Sequence, residues 1–283
     1  MKLKHALAEL APESIRAKLL FRSEYEALAA VARIACVGDR LRRQGDFALG
    51  TILDSREIAA AWADIEGELD ALAIPDGSGG VNPGDRRAIY YLISHFRPAS
   101  VLEVGSHIGA STVHIAAALH RSRIRAGQPA ELTTVDIADV NDPIAQPWLK
   151  FGTDLSPREM LNKLDYGRLV EFIQDTSLHF AAHCGRKFDF IFLDGDHSAP
   201  TVYREIPAAL DLLTDNGVIL LHDYFPKLRP LWSNGSVIAG PRLATQRFAK
   251  ERVNVVALPL GALPWPTKLQ SNITSLALLL RTA

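Results

Sequence analysis

Val101-Leu102-Glu103-Val104-Gly105-Ser106-His107-Ile108-Gly109-Ala110-Ser111-Thr112 is the stretch on which the fold turns. A short apolar strand runs into a glycine, and a second glycine four positions on opens a segment of helical character. In an open α/β sheet, ligands collect beyond the carboxyl ends of the strands, and a glycine after the first strand lets the backbone approach a ligand with no Cβ in the way. The turn therefore reads as a ligand cradle. Its spacing is Gly-x-x-x-Gly, not the Gly-x-Gly-x-x-Gly that seats a pyrophosphate against a helix start, which argues against a nicotinamide dehydrogenase.

From this turn onward, short apolar strands are expected at residues 101–104, 132–135, 169–173, 188–193 and 218–221. Helices are expected from Gly109, Ser156 and Ser177 and over residues 199–213. Five such repeats with strands apolar on both faces predict a parallel sheet with helices on each side. After Pro241 a helix to about Arg252 precedes strands at 253–258 and 274–280, expected to pair antiparallel at one sheet edge. The whole is expected to be a Rossmann-like, doubly wound α/β fold: a mostly parallel seven-stranded sheet with an antiparallel edge strand and an N-terminal helical cap.

That cap is the expected role of residues 1–80, a helical and oligomerisation region set before a main domain of residues 81–283. Ala, Leu, Glu and Arg dominate residues 23–43, and Asp54-Ser55-Arg56-Glu57 reads as a capping arrangement in which the fourth residue reaches back to the first. Ile58, Trp62, Ile65, Leu69 and Leu72 then lie on one helix face, a stripe that needs a partner surface on the main domain or in a homo-oligomer. Pro75-Asp76-Gly77-Ser78-Gly79-Gly80 reads as a hinge, and a helix is expected from Pro83 to about Arg97.

The 283 residues are 48% apolar and 22% charged, which suits one large core with an appendage and excludes disordered, collagenous and disulfide-scaffold classes. A formal net charge of -1 provides no overall field for a polyanion, so no nucleic-acid partner is expected. Cys36 and Cys184 lack metal-type spacing and fit a reducing compartment. Apolar runs such as residues 276–280 fall far short of the roughly 18 to 20 needed to cross a bilayer. Residues 1–4 are basic, but Glu9, Pro12 and Glu13 interrupt any signal-peptide core, so a cytoplasmic location without membrane contact is expected.

The strand ends carry the chemistry. The second ends at Asp136, whose carboxylate can take two hydrogen bonds from a ribose diol or cap a helix. After the third comes Gln174-Asp175-Thr176-Ser177, suited either to capping the next helix or to contacting an adenine edge. The fourth delivers Leu193-Asp194-Gly195-Asp196-His197 and the fifth Leu221-His222-Asp223-Tyr224. If those two strands are neighbours, about 4.8 Å apart, Asp194 and Asp223 can reach one cation, and all-oxygen ligation favours a hard ion such as Mg²⁺. Trp148, Trp232 and Trp265 lie in connections where they could wall an acceptor or simply pack under loops, and Arg121, Arg123 and Arg125 read as a solvated basic face.

Taken together, residues 101–112, Asp136, the Asp194 segment and the His222-Asp223 segment resemble the class I S-adenosylmethionine-dependent methyltransferases. Within that class they are similar to the small-molecule O-methyltransferase branch that includes the catechol, caffeoyl-CoA and macrolide-sugar enzymes. The resemblance covers roughly residues 80–280. It implies that Glu103, Gly105, Ser106, Gly109 and Ser111 line the methionine end of S-adenosylmethionine, that Asp136 holds the ribose, and that Thr176 and Ser177 lie near adenine. Asp194, which also borders the cofactor, and Asp223 match the divalent-cation ligands, and Asn82 to Asp85 resembles the segment that closes over the cofactor. His222 departs from the pattern and is a third ligand, a supporting group or a spacer.

The implied reaction is in-line transfer of the sulfonium methyl to a hydroxyl of a small metabolite that the cation orients. His197, with an ordinary pKa of about 6.5, is the expected base, and Asp196 is the second choice. Two readings compete with this one: a metal-independent transferase using His197 or His222 as base, and a non-catalytic S-adenosylmethionine-binding subunit.

Overall fold

The computed structural model describes residues 11–46, 48–76 and 80–282. Residues 1–4 and Gly77, Ser78 and Gly79 of the expected hinge lie outside the described residues. The helices that matter below are α1 (Glu13–Leu20), α2 (Arg22–Ala29), α3 (Leu49–Leu53), α4 (Arg56–Ala63), α5 (Glu66–Asp70), α6 (Pro83–Phe96), α7 (Ala110–Ser122), α8 (Pro157–Lys163), α9 (Ser177–His183), α10 (Ala199–Leu212) and α11 (Gly240–Lys250). The strands are β1 (Ser100–Val104), β2 (Glu131–Asp136), β3 (Val170–Gln174), β4 (Phe188–Leu193), β5 (Leu213–Leu221), β6 (Val255–Pro259) and β7 (Ala277–Arg281).

They form one seven-stranded sheet in the order β3-β2-β1-β4-β5-β7-β6. β3 to β5 are parallel, and β7 runs antiparallel to both β5 and β6. Order reverses after β1, between β1 and β4, which opens a crevice at the carboxyl ends of those strands. Side chains alternate across the sheet: Phe190 and Phe192 enter one apolar layer with α6 and α7, while Ile191 and Leu193 enter the other with α10 and α11. Each fully buried side chain of this size contributes about 1.5–3 kcal/mol of transfer free energy, which is why the strands are held on both faces.

The N-terminal region departs from its expected helical character after Ala29. Residues 32–38 carry no regular secondary structure, residues 39 and 40 form a turn, Leu41 bridges to Gly217, and Arg43 bridges to Arg281. Val31, Ile34 and Val37 are β-branched, and a Cβ on Gly38 would run into Asn254 and Val255. Partner backbone from β5 and β7 therefore overrides the helix propensity of the flanking residues. The expected cap also shifts: Ser55, not Asp54, precedes α4, and its hydroxyl accepts from the Ile58 amide.

Ile58, Trp62, Ile65, Leu69 and Leu72 share one apolar cluster with Tyr90, Val113 and Phe190, so the stripe is buried within the chain. On the other sheet face Ala17, Leu28 and Leu41 join Leu102 and Tyr203. Apolar contact thus runs across residue 80 on both sides. No helix among the described residues is long and apolar enough to cross a membrane, and both cysteines are unpaired.

Candidate functional site

Gly105 has φ +96°, and a Cβ there would strike the Asp194 backbone. Only glycine lets the tips of β1 and β4 press together at this point. The ladder continues past the strands: Gly105 N–H donates to Val135 O at 2.8 Å, Asp194 N–H to Val104 O at 2.9 Å, and His222 N–H to Leu193 O at 3.1 Å. Leu193 is in register with Leu221, so Asp194 and His222 are lateral neighbours, and Asp223 follows with φ +50°, a left-handed turn that Asp tolerates. Gly109, with φ +77°, caps α7 against Pro157.

Beyond these tips lies a cavity of about 660 Å³. Gly105 and His107 border it from β1, Asp136 and Ile137 from β2, and Thr176, Ser177 and Leu178 from the β3 end. Asp194, Asp196, His197, His222 and Asp223 complete it from β4 and β5, and Thr201 and Glu205 from α10. Asp136 accepts from the amides of His107 (2.9 Å) and Ala138 (3.0 Å), one on each oxygen, which fixes its carboxylate at the cavity wall with lone pairs to spare. Thr176 caps α9 through its hydroxyl, which accepts from the His179 amide, and the residue also borders the cavity.

Four residues expected at the methionine end do not border this cavity: Glu103, Ser106, Gly109 and Ser111. Glu103 is fully buried beneath the cradle, accepting from the hydroxyls of Thr112 (2.6 Å) and Thr134 (2.7 Å). Ser106 shares a 2.5 Å hydrogen bond with Thr134, and Ser111 is buried. Their side chains brace the turn from below because β1 side chains alternate and the turn exposes its backbone.

The acidic cluster is richer than expected. His222 is 8% exposed; its Nδ1 lies 2.6 Å from Asp194 Oδ1 and 3.8 Å from Asp223 Oδ1, and its Nε2 lies 3.5 Å from Asp85 Oδ2. His197 Nε2 sits between Asp194 Oδ1 (3.6 Å) and Asp223 Oδ2 (3.5 Å). Asp85 is wholly buried on the first turn of α6, tied to Asn82, with no hydrogen bond to Oδ1 among the described residues. Burial alone would lower the His222 pKa, but Asp194 and Asp223 overcome it and hold the imidazole protonated well above its usual range.

Despite the 2.6 Å approach, neither ring nitrogen of His222 has an aligned hydrogen bond. Asp194, His197 and His222 can each offer a ligand atom, all within 4.8 Å of one another. The residues therefore fit a divalent cation. Asp194 with His197 or His222 would make a mixed carboxylate and imidazole set, and Asp194 with Asp223 the all-oxygen set expected for Mg²⁺.

Asp196 is less suited to act as a base. Its oxygens accept from the Ser198 amide and from the Ser198 and Thr201 hydroxyls, and these bonds hold it ionised against the opposing effect of burial. The tryptophans do not wall the cavity: Trp148, Trp232 and Trp265 are buried, with the indoles of Trp232 and Trp265 donating to Ile273 O and Gly84 O. Arg121 pairs with Asp64 and Arg123 donates to Arg97 O and Pro129 O. Sequence reasoning missed His107, Ile137 and Glu205. His107 carries a buried Nδ1 without a hydrogen bond among the described residues, and Ile137 is a 74%-exposed apolar side chain at the cavity wall. Glu205 carried a signal, an acid on the buried face of α10 among Val202, Ile206 and Ala209.

Strand order, the glycine turn after β1 and the Asp136 carboxylate at the β2 tip make a Rossmann-like α/β domain with its cavity at the switch point of the sheet. Residues 102–224 match the family described as a methyltransferase domain, which spans β1 to just past Asp223. No curated protein matches the sequence. Among solved structures, an O-methyltransferase from Bacillus cereus in complex with SAH is similar with TM-score 0.51 and 16% identity, over 83% of this chain and 100% of that one. The SAH-bound methyltransferase PaMTH1 from Podospora anserina is similar with TM-score 0.51 and 16% identity, over 81% of this chain and 95% of that one. At these identities the likeness is one of fold.

Proposed function

We propose that this protein transfers the methyl group of S-adenosylmethionine to a hydroxyl of a small molecule, with His197 as the base. One observation carries the reading: the cradle at Gly105 and the cluster of Asp194, His197, His222 and Asp223 open into the same cavity. Gly105, Asp136 and the Thr176-Ser177 corner would hold the cofactor along one wall, and the cluster would receive the acceptor at the other. His197, with 29% of its side chain exposed, reaches the cavity while its ring is steered by two carboxylates, so Nε2 can take the hydroxyl proton as the oxygen attacks the methyl carbon in line. Asp194, Asp223 and His222 would hold a divalent ion, which when bound would lower the acceptor's pKa and orient it.

A second reading, without the ion, rests on His222. Its imidazolium, set among Asp194, Asp223 and Asp85, would itself supply the positive charge of the site. The apolar stripe from which a homo-oligomer is expected packs inside the chain, so the stripe itself offers no surface to a second copy.

The test is native mass spectrometry and elemental analysis of freshly purified protein, followed by calorimetric titration with S-adenosylhomocysteine before and after chelation. Cofactor binding that survives chelation, with about one ion per chain before it, supports the metal-assisted reading. Cofactor binding with no ion at any stage favours His222. Failure to bind S-adenosylhomocysteine under any condition overturns both.

A further inference from the structure

Glu205 is an expensive residue to keep where it stands. It is 4% exposed, on the helix face that otherwise buries Val202, Ile206 and Ala209, and burial pushes its carboxyl up to about 7 despite a hydrogen bond from Ser177. That hydroxyl donates to Oε1 at 2.5 Å, and among the described residues no donor meets Oε2. The side chain borders the cavity with Gly195, Thr201 and the Thr176-Ser177-Leu178 corner. The other carboxylates there are engaged within the chain: Asp175 with the His179 ring at 2.7 Å, and Asp196 with Ser198 and Thr201. An acceptor that is buried, braced on one oxygen and open on the other is built to receive an N–H from a ligand.

We propose that Glu205 is the residue that selects the base of the cofactor, accepting a hydrogen bond from the exocyclic amine of adenine. This rests on the proposed S-adenosylmethionine function, in which the Ser177 corner is the adenine end. Of the cofactor's groups, the 6-amino group is the N–H donor of the base, so a 6-aminopurine satisfies Oε2 and a purine without that group leaves a buried carboxylate unpaired.

The experiment is calorimetric or fluorescence titration at pH 8.5 with S-adenosylhomocysteine and with its 6-deamino purine analogue, on wild type, Glu205→Gln and Glu205→Leu. Wild type should prefer the adenine compound by roughly 10- to 100-fold, the range of a hydrogen bond to a charged group. Glu205→Gln keeps a neutral acceptor and should retain a preference of only a few-fold. Glu205→Leu, which suits an apolar helix face, should bind the two compounds within about twofold of each other. If Glu205→Leu does not fold, Glu205→Gln still decides the matter. A wild-type preference near unity, or one unchanged in the folded variants, overturns the assignment. Wild type that binds neither compound overturns instead the cofactor reading on which it rests.

Discussion

Glu103→Gln offers a quantitative test of how the cradle is braced. The Thr112 and Thr134 hydroxyls both reach Oε2 of Glu103, and Oε1 has no aligned donor among the described residues. Burial raises the carboxyl from its ordinary 4.5 to about 7, against the lowering effect of hydrogen bonds from Ser111, Thr112 and Thr134. Between those two values the folded protein keeps a proton that the unfolded chain has released, so this group's contribution becomes unfavourable as pH rises through the window. A gap of about 2.5 pH units, at roughly 1.36 kcal/mol each, amounts to ~3 kcal/mol of stability lost by pH 8.5. Glutamine is nearly isosteric, keeps an oxygen for both hydroxyls and never ionises. Its amide N–H₂ adds a pH-independent cost of about 1–3 kcal/mol where Oε1 was unpartnered. Urea unfolding of both proteins from pH 5 to 8.5, with chelator and without cofactor, should therefore show the variant gaining on wild type by ~3 kcal/mol across the range. Other titrating groups cancel in the difference. Two stability curves that stay parallel would refute the assignment of a raised carboxyl at this position.

Trp62→Ala should cost roughly 3–5 kcal/mol in denaturant unfolding, because Trp62 packs edge-on to Tyr90 within the chain; a loss below about 1 kcal/mol would mean that the α4 stripe contributes little to the fold. Gly105→Ala forces a Cβ into the Asp194 backbone at φ +96°; it should lose at least about 1–2 kcal/mol of stability and weaken S-adenosylhomocysteine binding by about tenfold or more, and unchanged calorimetric affinity would contradict the cradle geometry. Glu13 pairs through both oxygens with Arg242, whose bonds and charge hold the Glu13 pKa down in spite of partial burial. Glu13→Gln should thus cost about 1 kcal/mol near pH 7, and the loss should fade as wild-type Glu13 protonates below its ordinary pKa, read from thermal unfolding at pH 7 and pH 3.

The sheet was legible because its strands are apolar on both faces and each is punctuated by a polar turn; 101–104 and 188–193 lie within or match β1 and β4. The pairing of Asp194 with the β5 tip followed from the same pattern, since strands that alternate with helices in one sheet bring their carboxyl ends to one edge. What the pattern could not carry was anything decided by contact across distant sequence. Residues 40–44 leave helical form because their backbone pairs with β5 and β7. Glu103 belongs to the strand end that marks the cradle, but only the pleat decides that its side chain points down to Thr112 and Thr134. Asp85 and Glu205 reach the site from helices whose first task is packing, so their spacing registers as amphipathic periodicity and nothing more.

Asp85 also constrains how the centre works. Asp85 is at 0% exposure, with one oxygen accepting from Asn82 and the other without a hydrogen bond among the described residues, a costly burial for a carboxyl group. Its nearest basic atom is His222 Nε2 at 3.5 Å, while His222 Nδ1 faces Asp194. The imidazole therefore joins Asp85 to the Asp194–Asp223 pair, and any cation bound at that pair competes with the ring's own proton for the same negative charge. If the metal-assisted reading is right, ion uptake must release a proton from His222, and calorimetric ion binding in buffers of different ionisation enthalpy should show it. His222→Asn should then lose that proton release. Proton release retained in full by His222→Asn would place the linked proton elsewhere and separate Asp85 from the chemistry.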